Sequence, residues 1–528
     1  MIGAGLGLKV SSRAARLSDL RWWGANAGAL QTRVLRGLLA KAAGTEVGRA
    51  HRFGMLATQD DARMIAGYRD AIAPADYEAW RPRLNRMREQ AEPDVTWPGV
   101  VMDWAQTSGT TGGQKYIPVS KEMMRSNYRA AMDIFAHAKR FGVSLPEVFA
   151  GRLFFLGGST ALSVSAKGVR TGDLSGLVTP LIRWPISEVY SPGPRIALMD
   201  HWPSKIEAMA KLALGQDVRF VSGMASWSLV MFQRVVELAQ ESGRGVKSLR
   251  EVWPNFRLFV HGGVKYAPFD PRVREAWSGD PRVDVPCRLE VYPASEGFIA
   301  VQDTAGDPGL RLHTDMDVAY EFVPLEEIDS PNPRAFFCDE VEKGQRYVVT
   351  MSTCAGLWRY VIGDVVVFDT IPPDGPPRLR IVGRHRHFIN AFGENLIVED
   401  IERAVVAARD EMGARIGEFT AGPVYPGEGR RAGLELVCEA EDLIAERLEH
   451  FRERFDAALR TINVDYDTKR TGDVGMAPAQ VRVLPMRAFH RWMESRGRLG
   501  GQNKVPRCAN HREYLDGLLR ECSDSDRT

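Results

Sequence analysis

One run of small and hydroxyl-bearing residues has the composition of a phosphate-binding loop. It is the nonapeptide TSGTTGGQK at residues 107–115. Its glycines, Gly109 and Gly112 among them, permit positive φ and close approach of the backbone, and consecutive N–H groups in such a loop converge on an anion. The side-chain donors are the hydroxyls of Ser108, Thr110 and Thr111 and the ammonium of Lys115. The run therefore predicts a cradle for phosphate groups, held between two strands.

One alternative interpretation of this run has to be weighed. Clusters of glycine, serine and threonine are often plain surface turns. The run also lacks the Walker A pattern, because Lys115 follows a glutamine and Tyr116 follows Lys115. The phosphate interpretation consequently depends on further clusters later in the chain.

The second cluster, Tyr292-Pro293-Ala294-Ser295-Glu296, combines groups that suit a nucleotide and a metal. The ring of Tyr292 can stack on a nucleobase, and the Ser295 hydroxyl can donate to a phosphate oxygen. The carboxylate of Glu296 is the kind of hard oxygen ligand that Mg²⁺ prefers. A Ser-Glu pair after a strand is also a common way to begin a helix, which is the alternative here.

Three later residues add polar groups of the same kind. Gly363 permits a turn, after which Asp364 can accept two hydrogen bonds from a ribose diol, although Gly-Asp turns are common in proteins. Arg384 follows Gly383 and can donate to a ribose or phosphate oxygen. Lys504 follows two glycines, a pattern typical of a mobile loop that delivers a positive charge or of a solvent-exposed tail.

The elements that must position these residues read as an α/β fold. Short apolar runs such as Leu153–Leu156, Leu258–His261 and Leu289–Tyr292 predict strands, and Gly262 and Gly263 follow the second. Helices are predicted over about 27–44, after a Ser120 cap, and from Trp227 to about 239. Alternating strands and helices indicate largely parallel pairing, in which ligands bind at the carboxyl ends of the strands.

The pattern changes from about residue 345. Runs at 347–351, 365–368 and 379–382 predict short antiparallel strands of a subdomain or barrel. Beyond Gly383 the order is helix 399–411, strand 434–438, helix 442–462 and strand 481–484, enough for a small α+β domain. We therefore predict a large N-terminal domain over 1–383, with mixed or parallel sheets and a small β subdomain, and a C-terminal domain over 384–528 joined by a short hinge.

Composition excludes several classes of protein. The 528 residues are 44% hydrophobic and 26% charged, with a net charge of +2, which gives no field that would attract nucleic acid or an anionic membrane. No 18-residue apolar stretch predicts a membrane span, and the first nine residues are too short and glycine-rich for a signal peptide. Six scattered cysteines without a CxxC pair favour a reducing, cytoplasmic location.

Taken in order, these clusters resemble the adenylate-forming enzymes, which include acyl-CoA synthetases, adenylation domains and luciferases. The exact residues of several motifs resemble one branch more closely, the Gretchen Hagen family of acyl-acid amido synthetases, and within it the bacterial members. The motifs that carry this resemblance are VSGMASW at 221–227, WPNF at 253–256, HGG at 261–263, YPASEGF at 292–298, GLWRY at 356–360, FINAFGE at 388–394 and KVPR at 504–507.

The resemblance implies a reaction in two steps. A carboxylic acid attacks the α-phosphorus of MgATP to give an acyl-adenylate, and an amine, typically an amino acid, then displaces AMP to form an amide. It also implies a mobile C-terminal domain. The roles it implies are β- and γ-phosphate binding by Ser108, Gly109, Thr110, Thr111, Gly112 and Lys115, close backbone approach to adenine or acyl group at Gly262 and Gly263, adenine contact by Tyr292, α-phosphate binding by Ser295, Mg²⁺ binding by Glu296, ribose binding by Asp364 and Arg384, and delivery of a charge to the reacting groups by Lys504.

One departure from the family pattern concerns the segment after Arg384. Plant members carry a lysine there, whereas this chain has His385-Arg386-His387, so the nucleotide contact expected of that lysine has no counterpart. Two other functions stay open at this point. An acyl-CoA ligase would pass the acyl group to a thiol, and an inactive nucleotide-binding protein would lack the chemistry that Glu296, Asp364 and Lys504 provide. The sequence names neither the acid nor the amine, and it sets no oligomeric state.

Overall fold

The computed structural model describes most of the chain. The described ranges are 4–108, 114–157, 162–179, 186–199, 202–263, 266–267, 269–385, 388–389, 396–424, 431–444, 446–463, 466–467, 470, 476–496, 507–509 and 511–525. Within them, no helix has both the length and the hydropathy that crossing a membrane would require.

Nineteen helices and twenty strands are formed by the described residues. The helices are α1 Ala4–Leu17, α2 Leu20–Ala42, α3 Glu46–Ala50, α4 Phe53–Ala57, α5 Asp61–Ala71, α6 Tyr77–Glu89, α7 Lys121–Arg140, α8 Leu145–Phe149, α9 Leu174–Val178, α10 Ile186–Val189, α11 Pro194–Ala197, α12 Trp202–Leu214, α13 Ala225–Glu241, α14 Leu249–Val252, α15 Asp270–Ser278, α16 Val398–Met412, α17 Glu446–Ile462, α18 Ala488–Ser495 and α19 Glu513–Ser525. The strands are β1 Asp103–Ser108, β2 Gln114–Val119, β3 Arg152–Leu156, β4 Ser163–Val164, β5 Arg170–Gly172, β6 Tyr190–Ser191, β7 Val218–Gly223, β8 Leu258–Gly262, β9 Arg288–Ala294, β10 Gly297–Gln302, β11 Leu310–Leu312, β12 Val318–Pro324, β13 Arg346–Thr353, β14 Tyr360–Thr370, β15 Arg378–Arg384, β16 Phe388–Ile389, β17 Leu396–Ile397, β18 Ile416–Val424, β19 Gly433–Ala440 and β20 Gln480–Leu484.

Helix starts follow capping side chains. The carboxylate of Asp19 accepts the Trp22 amide N–H at 3.0 Å, so α2 begins at Leu20, seven residues before the predicted start at 27. The hydroxyl of Ser120 accepts the Met123 amide N–H at 3.0 Å, which confirms the predicted cap of α7. Both caps fix where the long N-terminal helices enter the fold.

An eleven-stranded mixed sheet is the centre of the fold, in the order β12-β13-β14-β15-β11-β10-β9-β8-β7-β3-β6. Strands β6, β3, β7, β8 and β9 pair in parallel, as predicted. Strand β10 pairs antiparallel with β9, and the strands predicted after residue 345 continue the same sheet. The α/β class is therefore confirmed, with antiparallel strands extending a parallel core.

The parallel strands are apolar on both faces because helices cover both. Along β7, Phe220 packs with Ile134 and Phe135 of α7, whereas its neighbour Val221 packs on the other face with the core of α12, α13 and α15. Along β8, Leu258 and Phe259 divide in the same way. Side chains of a strand alternate between faces, so continuous apolar runs of this kind are expected in a sheet buried on both sides.

A separate four-stranded sheet carries the glycine-rich run. Its order is β2-β1-β5-β4, which places β2 at an edge. Strands β1 and β2 are antiparallel, and β1 and β5 are parallel. The strand–loop–strand arrangement predicted for this run is confirmed for its two strands.

The chain divides into two compact units. The first comprises Met1–Ile362 and Val367–Arg380, and the second comprises Gly363–Val366, Ile381–Leu499 and Asn503–Thr528, so the division falls inside β14 and β15. In the second unit, α16 and α17 pack on the sheet β18-β19-β20. The four predicted elements are present as α16, β19, α17 and β20, but strand β18, which lies between α16 and β19, was not predicted. Whether the functional boundary lies at 383/384 stays a prediction.

Candidate functional site

The carboxyl ends of the parallel strands lie at one edge of the large sheet. Leu156 at the end of β3 is in register with Gly223 of β7, which is in register with His261 of β8. Gly262 at the end of β8 is in register with Val291 of β9. The turns after these strands, with Gly263 after β8 and Ser295 after β9, therefore follow strands that end at the same edge, where ligands of α/β proteins bind.

Ser295 and Glu296 form the two-residue turn of a β-hairpin. Ala294 of β9 pairs with Gly297 of β10, and Ser295 and Glu296 connect them. The helix start that we weighed as an alternative is therefore wrong, because a strand follows. Glu296 is only 8% exposed. A carboxylate held at that depth in a tight turn has a fixed position at the sheet edge.

Close packing between β8 and β9 explains why residue 262 is a glycine. A Cβ atom on Gly262 would lie 2.3 Å from the carbonyl oxygen of Val291 and 3.2 Å from Cδ of Pro293. Any larger residue would separate the end of β8 from the segment that carries Tyr292, which is itself buried. Gly263 has φ of +79°, a value that favours glycine. The HGG motif thus shapes the protein's own strand ends.

Helix α7 links the glycine-rich hairpin to the Ser295-Glu296 turn. Ser120 directly follows β2, caps α7 and donates its hydroxyl to the Cys354 carbonyl oxygen at 2.5 Å. Met123, in the first turn of α7, is buried and lies beside Gly297: its Cε would be 3.9 Å from a Cβ on that glycine. The two predicted phosphate-binding segments are therefore connected by one capped helix start.

The glycine-rich hairpin is described on its two strands. Ser108 is in register with Gln114, so residues 109–113 connect two paired strand ends. The predicted phosphate-binding residues Gly109, Thr110, Thr111 and Gly112 lie outside the described residues, as does the side chain of Ser108. The ammonium of Lys115 lies 5.8 Å from the ring centroid of Tyr77 in α6.

Asp364 and Arg384, both in the second unit, form an ion pair at 2.6 Å. Gly363 has φ of +92°, and its carbonyl oxygen accepts hydrogen bonds from the His385 backbone N–H at 2.9 Å and its ring Nδ1 at 3.1 Å. Because a carbonyl oxygen only accepts, Nδ1 carries the proton. His385, where the sequence departs from the plant pattern, is thus a buried support for the Gly363-Asp364 turn.

The remaining predicted residues are partly outside the described part of the chain. Lys504 lies outside it, as do Arg386 and His387. Among the described residues, no group of three or more histidine, cysteine, aspartate or glutamate side chains is arranged to hold a metal ion. A cleft of about 570 Å³ runs along α7 and includes none of the predicted site residues. Its lining residues are Glu122, Met124, Arg125, Tyr128, Arg129 and Asp317.

The GLWRY motif, which carried part of the family resemblance, has a structural role. The Arg359 guanidinium donates to Glu321 at 2.9 Å and to the Ile72 carbonyl oxygen at 2.7 Å. The Trp358 indole N–H donates to the Thr96 carbonyl oxygen at 3.1 Å. The side chains in these contacts are buried, and their other partners are backbone carbonyl groups. The motif therefore holds the N-terminal segment against the large sheet.

Lys205 is a residue at the sheet edge that sequence reasoning missed. Its ammonium is buried and donates to the carbonyl oxygens of Ala197 at 2.7 Å and of Gly157, just after β3, at 3.2 Å. Burial lowers the pKa of Lys205 to about 8, with the Asp173 carboxylate opposing the shift. The signal was its spacing: Lys205 lies four residues before buried Met209, on the apolar face of α12.

His261 is a buried residue near the carboxyl end of β8, and its ring is uncharged. It stacks on Tyr266 with the ring centroids 4.2 Å apart, and both its ring nitrogens are buried and find no hydrogen-bond partner among the described residues. Burial, aided by the nearby Arg288 charge, lowers the pKa of His261 to about 3. At neutral pH the imidazole is therefore uncharged and packs as an aromatic side chain.

Comparison with known proteins places these observations in one family. Three family models match the chain: the GH3 family N-terminal domain over 16–179, the GH3 family central domain over 312–384 and the GH3 family C-terminal domain over 399–513. Together they cover about two thirds of the residues.

Two plant enzymes illustrate the similarity in sequence. Indole-3-acetic acid-amido synthetase GH3.3 of Arabidopsis thaliana is 25% identical over 288 residues, which is 51% of this chain and 46% of that enzyme. The chain thus spans about half the length of the first curated relatives it matches. Jasmonoyl-L-amino acid synthetase JAR6 of Nicotiana attenuata is 22% identical over 552 residues, covering 92% of this chain and 91% of that protein.

Solved structures share the fold. A GH3.15 acyl acid amido synthetase superposes with a TM-score of 0.76 at 17% identity, covering 96% of both chains. A 2-hydroxyisobutyryl-CoA ligase in the postadenylation state, in complex with 2-HIB-AMP, superposes with a TM-score of 0.56 at 14% identity, covering 94% of this chain and 91% of the ligase. At these identities the likeness establishes the fold.

Proposed function

The chain belongs to the GH3 family, and from this premise we propose that it is an ATP-dependent acyl-acid amido synthetase. It would adenylate a carboxylic acid and then transfer the acyl group to an amine, in the first instance an amino acid, releasing pyrophosphate and AMP. The observation that carries the proposal is the buried Glu296 in the β9–β10 turn, joined through α7 to the glycine-rich hairpin. This arrangement supports the proposal, because it connects a buried carboxylate to the hairpin that would bind the phosphates.

The glycine-rich hairpin supplies the phosphate contacts in this proposal. Backbone N–H groups of 108–112, with the hydroxyls of Ser108, Thr110 and Thr111, would hold the β- and γ-phosphates, and Lys115 would neutralise their charge. Such chemistry needs positioning and charge stabilisation more than covalent help. The paired ends of β1 and β2 support this role, because they anchor the loop on both sides.

The β9–β10 turn would act on the reacting phosphate. Tyr292 would lie against the adenine, Ser295 would donate to the α-phosphate and Glu296 would hold Mg²⁺. A single buried carboxylate suits Mg²⁺, which usually completes its shell with water and substrate phosphates; the lack of a three-ligand cluster among the described residues agrees with such a site. When bound, the ion would neutralise phosphate charge as the carboxylate attacks.

The C-terminal part would complete the nucleotide site. We place the functional boundary at 383/384, with Asp364 accepting from the ribose hydroxyls, Arg384 assisting and Lys504 delivering a charge to the α-phosphate and the attacking carboxylate. The ion pair of Asp364 with Arg384 supports this assignment, because it orients the carboxylate. An acyl-adenylate hydrolyses readily, so a domain that closes and excludes water would preserve it for the amine.

The compartment proposed for this chemistry is the cytoplasm. No disulfide joins the six cysteines, all of which lie in described residues, as expected where thiols stay reduced. The substrates there would be small molecules, and a net charge of +2 offers no general attraction for nucleic acid.

Pyrophosphate exchange tests the first half-reaction. Purified protein is incubated with ATP, labelled pyrophosphate, Mg²⁺ and a panel of carboxylic acids, and label should enter ATP with at least one acid and only when Mg²⁺ is present. Glu296→Gln, with Glu326→Gln as an exposed-glutamate control, should abolish exchange while the control retains it. No exchange with any acid in a broad panel would contradict the proposal.

Product analysis separates an amide from a thioester. The 2-hydroxyisobutyryl-CoA ligase shares the fold, so a thiol acceptor is the second candidate. With the acid found by exchange, AMP release is measured with coenzyme A and with an amino-acid mixture, and hydroxylamine traps the acyl-adenylate in both. Rapid AMP release with amino acids and none with coenzyme A is expected. The reverse result would make the protein an acyl-CoA ligase.

A further inference from the structure

An unusual bond fixes the second strand of the glycine-rich hairpin. Strand β2 lies at the edge of its sheet, so it pairs with β1 on one side only. On its other side, the backbone N–H of Tyr116 donates to the hydroxyl oxygen of Tyr77 at 2.9 Å. A side chain from α6 therefore takes the place of a neighbouring strand at the residue next to Lys115.

Helix α6 presents a stripe of aromatic and cationic side chains to this strand. Tyr77, Arg81 and Arg88 recur at spacings of four and seven residues, which places them on one face of the helix. The Arg88 guanidinium lies 3.7 Å from the Tyr116 ring centroid, and that of Arg81 lies 5.2 Å from the Tyr77 ring. Both contacts are cation–π interactions. The first joins α6 to the side chain of Tyr116, and the second lies within α6, against the ring of Tyr77.

The helix that carries Tyr77 is itself well anchored. The Asp76 carboxylate caps it, accepting the Glu78 amide N–H at 3.1 Å, and Trp80, Leu84 and Met87 are buried. Tyr77 is 2% exposed. The position of its hydroxyl is therefore fixed, and the hydrogen bond to Tyr116 fixes β2 relative to α6.

From this geometry we infer that Tyr77 is a positioning residue for the phosphates of ATP: it holds β2 in register so that Lys115 meets the β- and γ-phosphates. The inference rests on the proposed function of the hairpin. Phosphate binding by backbone N–H groups depends on their alignment. An edge strand without its outer bond can shift, and Lys115 near its start would then lie farther from the β- and γ-phosphates.

The nucleotide that reveals this role is AMP, which lacks the β- and γ-phosphates. Binding of a non-hydrolysable ATP analogue and of AMP is measured by calorimetry without acid substrate, for the wild type and Tyr77→Phe. Losing the one hydrogen bond that Tyr77 makes to β2 should weaken binding of the analogue by about three- to tenfold. AMP affinity should stay within twofold of the wild type.

Tyr347→Phe is a matched control. The Tyr347 hydroxyl also accepts a backbone N–H, that of Glu342, at 2.9 Å, and Tyr347 is 1% exposed. Tyr347→Phe also removes the hydrogen bond that this hydroxyl donates to Gln345 at 3.0 Å, so its urea midpoint should fall at least as far as that of Tyr77→Phe. Only Tyr77→Phe should discriminate between the analogue and AMP.

The outcomes separate this inference from the proposed function. If Tyr77→Phe binds both nucleotides like the wild type, or weakens both equally, Tyr77 has no phosphate-positioning role, although the enzyme proposal stands. If the wild type binds neither nucleotide, the proposed function itself fails. If Tyr77→Phe does not fold, Arg88→Gln is used instead, because it removes the cation stacked on Tyr116. Arg88→Gln must then weaken binding of the analogue more than binding of AMP, or the inference is wrong.

Discussion

The guanidinium of Arg384 and the carboxylate of Asp364 form a directed ion pair, with Nε of the arginine 2.6 Å from Oδ1 of the aspartate. The Asp364 side chain is 10% exposed and that of Arg384 is 43% exposed. A pair so open on the arginine side adds little to the stability of the fold. Its consequence is instead orientation, because the arginine holds one carboxylate oxygen and thereby sets the direction of the other.

Removing the Asp364 carboxylate should weaken ATP binding. Asp364→Ala would leave the ribose hydroxyls of a bound nucleotide without their acceptor, at a cost of about 2 kcal/mol or more, which is roughly 30-fold in Kd. Calorimetry with a non-hydrolysable ATP analogue measures this effect, and circular dichroism checks that the fold is retained.

A second aspartate on the same pair of strands provides the control for Asp364→Ala. Asp369 of β14 pairs with Arg380 of β15 at 2.7 Å and is partly exposed, so Asp369→Ala removes a similar ion pair outside the proposed site. Its ATP affinity should equal that of the wild type. Equal affinities in all three proteins would place Asp364 outside the nucleotide site.

Arg359 should be required for stability. It is 3% exposed with φ of +43°, and it donates to Glu321, which is also buried. Arg359→Met would leave a buried carboxylate with one cation fewer and should lower the free energy of unfolding by about 3–5 kcal/mol. Urea titration measures the loss. Arg334→Met, which removes an exposed ion pair with Glu327, should shift the midpoint little, and a similar shift in both variants would contradict the prediction.

The contacts of Arg359 show which parts of the structure can be predicted from the sequence and which cannot. Local patterns predicted the parallel strands, the Ser120 cap and four of the elements after Gly383, because each depends on residues close together in the chain. The role of Arg359 could not be predicted, since its partner Glu321 lies 38 residues away and Ile72 lies 287 away. The Ser295-Glu296 turn was ambiguous for another reason: a Ser-Glu pair suits both a helix start and a hairpin, and the pairing of β10 decides between them.

Acid should destabilise the fold through His261. In the folded state its pKa is about 3, below the value of 6.5 for a free histidine, so between these pH values the unfolded chain binds the extra proton. Stability is therefore lost as the pH falls below 6.5, at up to about 1.4 kcal/mol per pH unit, or about 2 kcal/mol at pH 5. Burial holds the pKa of His313 at about 4 and adds to the same trend.

Replacing His261 by phenylalanine isolates its share of this loss. His261→Phe keeps an aromatic ring against Tyr266 and removes the titrating nitrogens, so the stability difference between pH 7.5 and pH 5 should shrink by about 2 kcal/mol relative to the wild type. Urea unfolding at the two pH values measures it. His490→Phe, at an exposed position of α18, should leave the difference unchanged. A wild-type pH slope in His261→Phe would show that the imidazole does not titrate in this way.

Lys504 is expected to matter far more in the first half-reaction than in the second. In adenylation a carboxylate anion attacks a phosphate that is also negative, and a lysine ammonium on a flexible side chain can neutralise the charge that builds up there. In amide formation the nucleophile is a neutral amine, so the same charge is needed less. Lys504→Ala should therefore reduce pyrophosphate exchange by about 100-fold, a loss typical of removing one electrostatic stabiliser.

Separate assays of the two half-reactions decide whether Lys504 has this role. Pyrophosphate exchange follows adenylation, and release of AMP from supplied acyl-adenylate and amine follows amide formation, which should fall far less in Lys504→Ala. Lys247→Ala, which removes an exposed lysine, should match the wild type in both assays. Equal losses in the two half-reactions, or a loss only in amide formation, would contradict a role of Lys504 in adenylation. The proposed charge neutralises two anions that approach each other, and only adenylation brings two anions together.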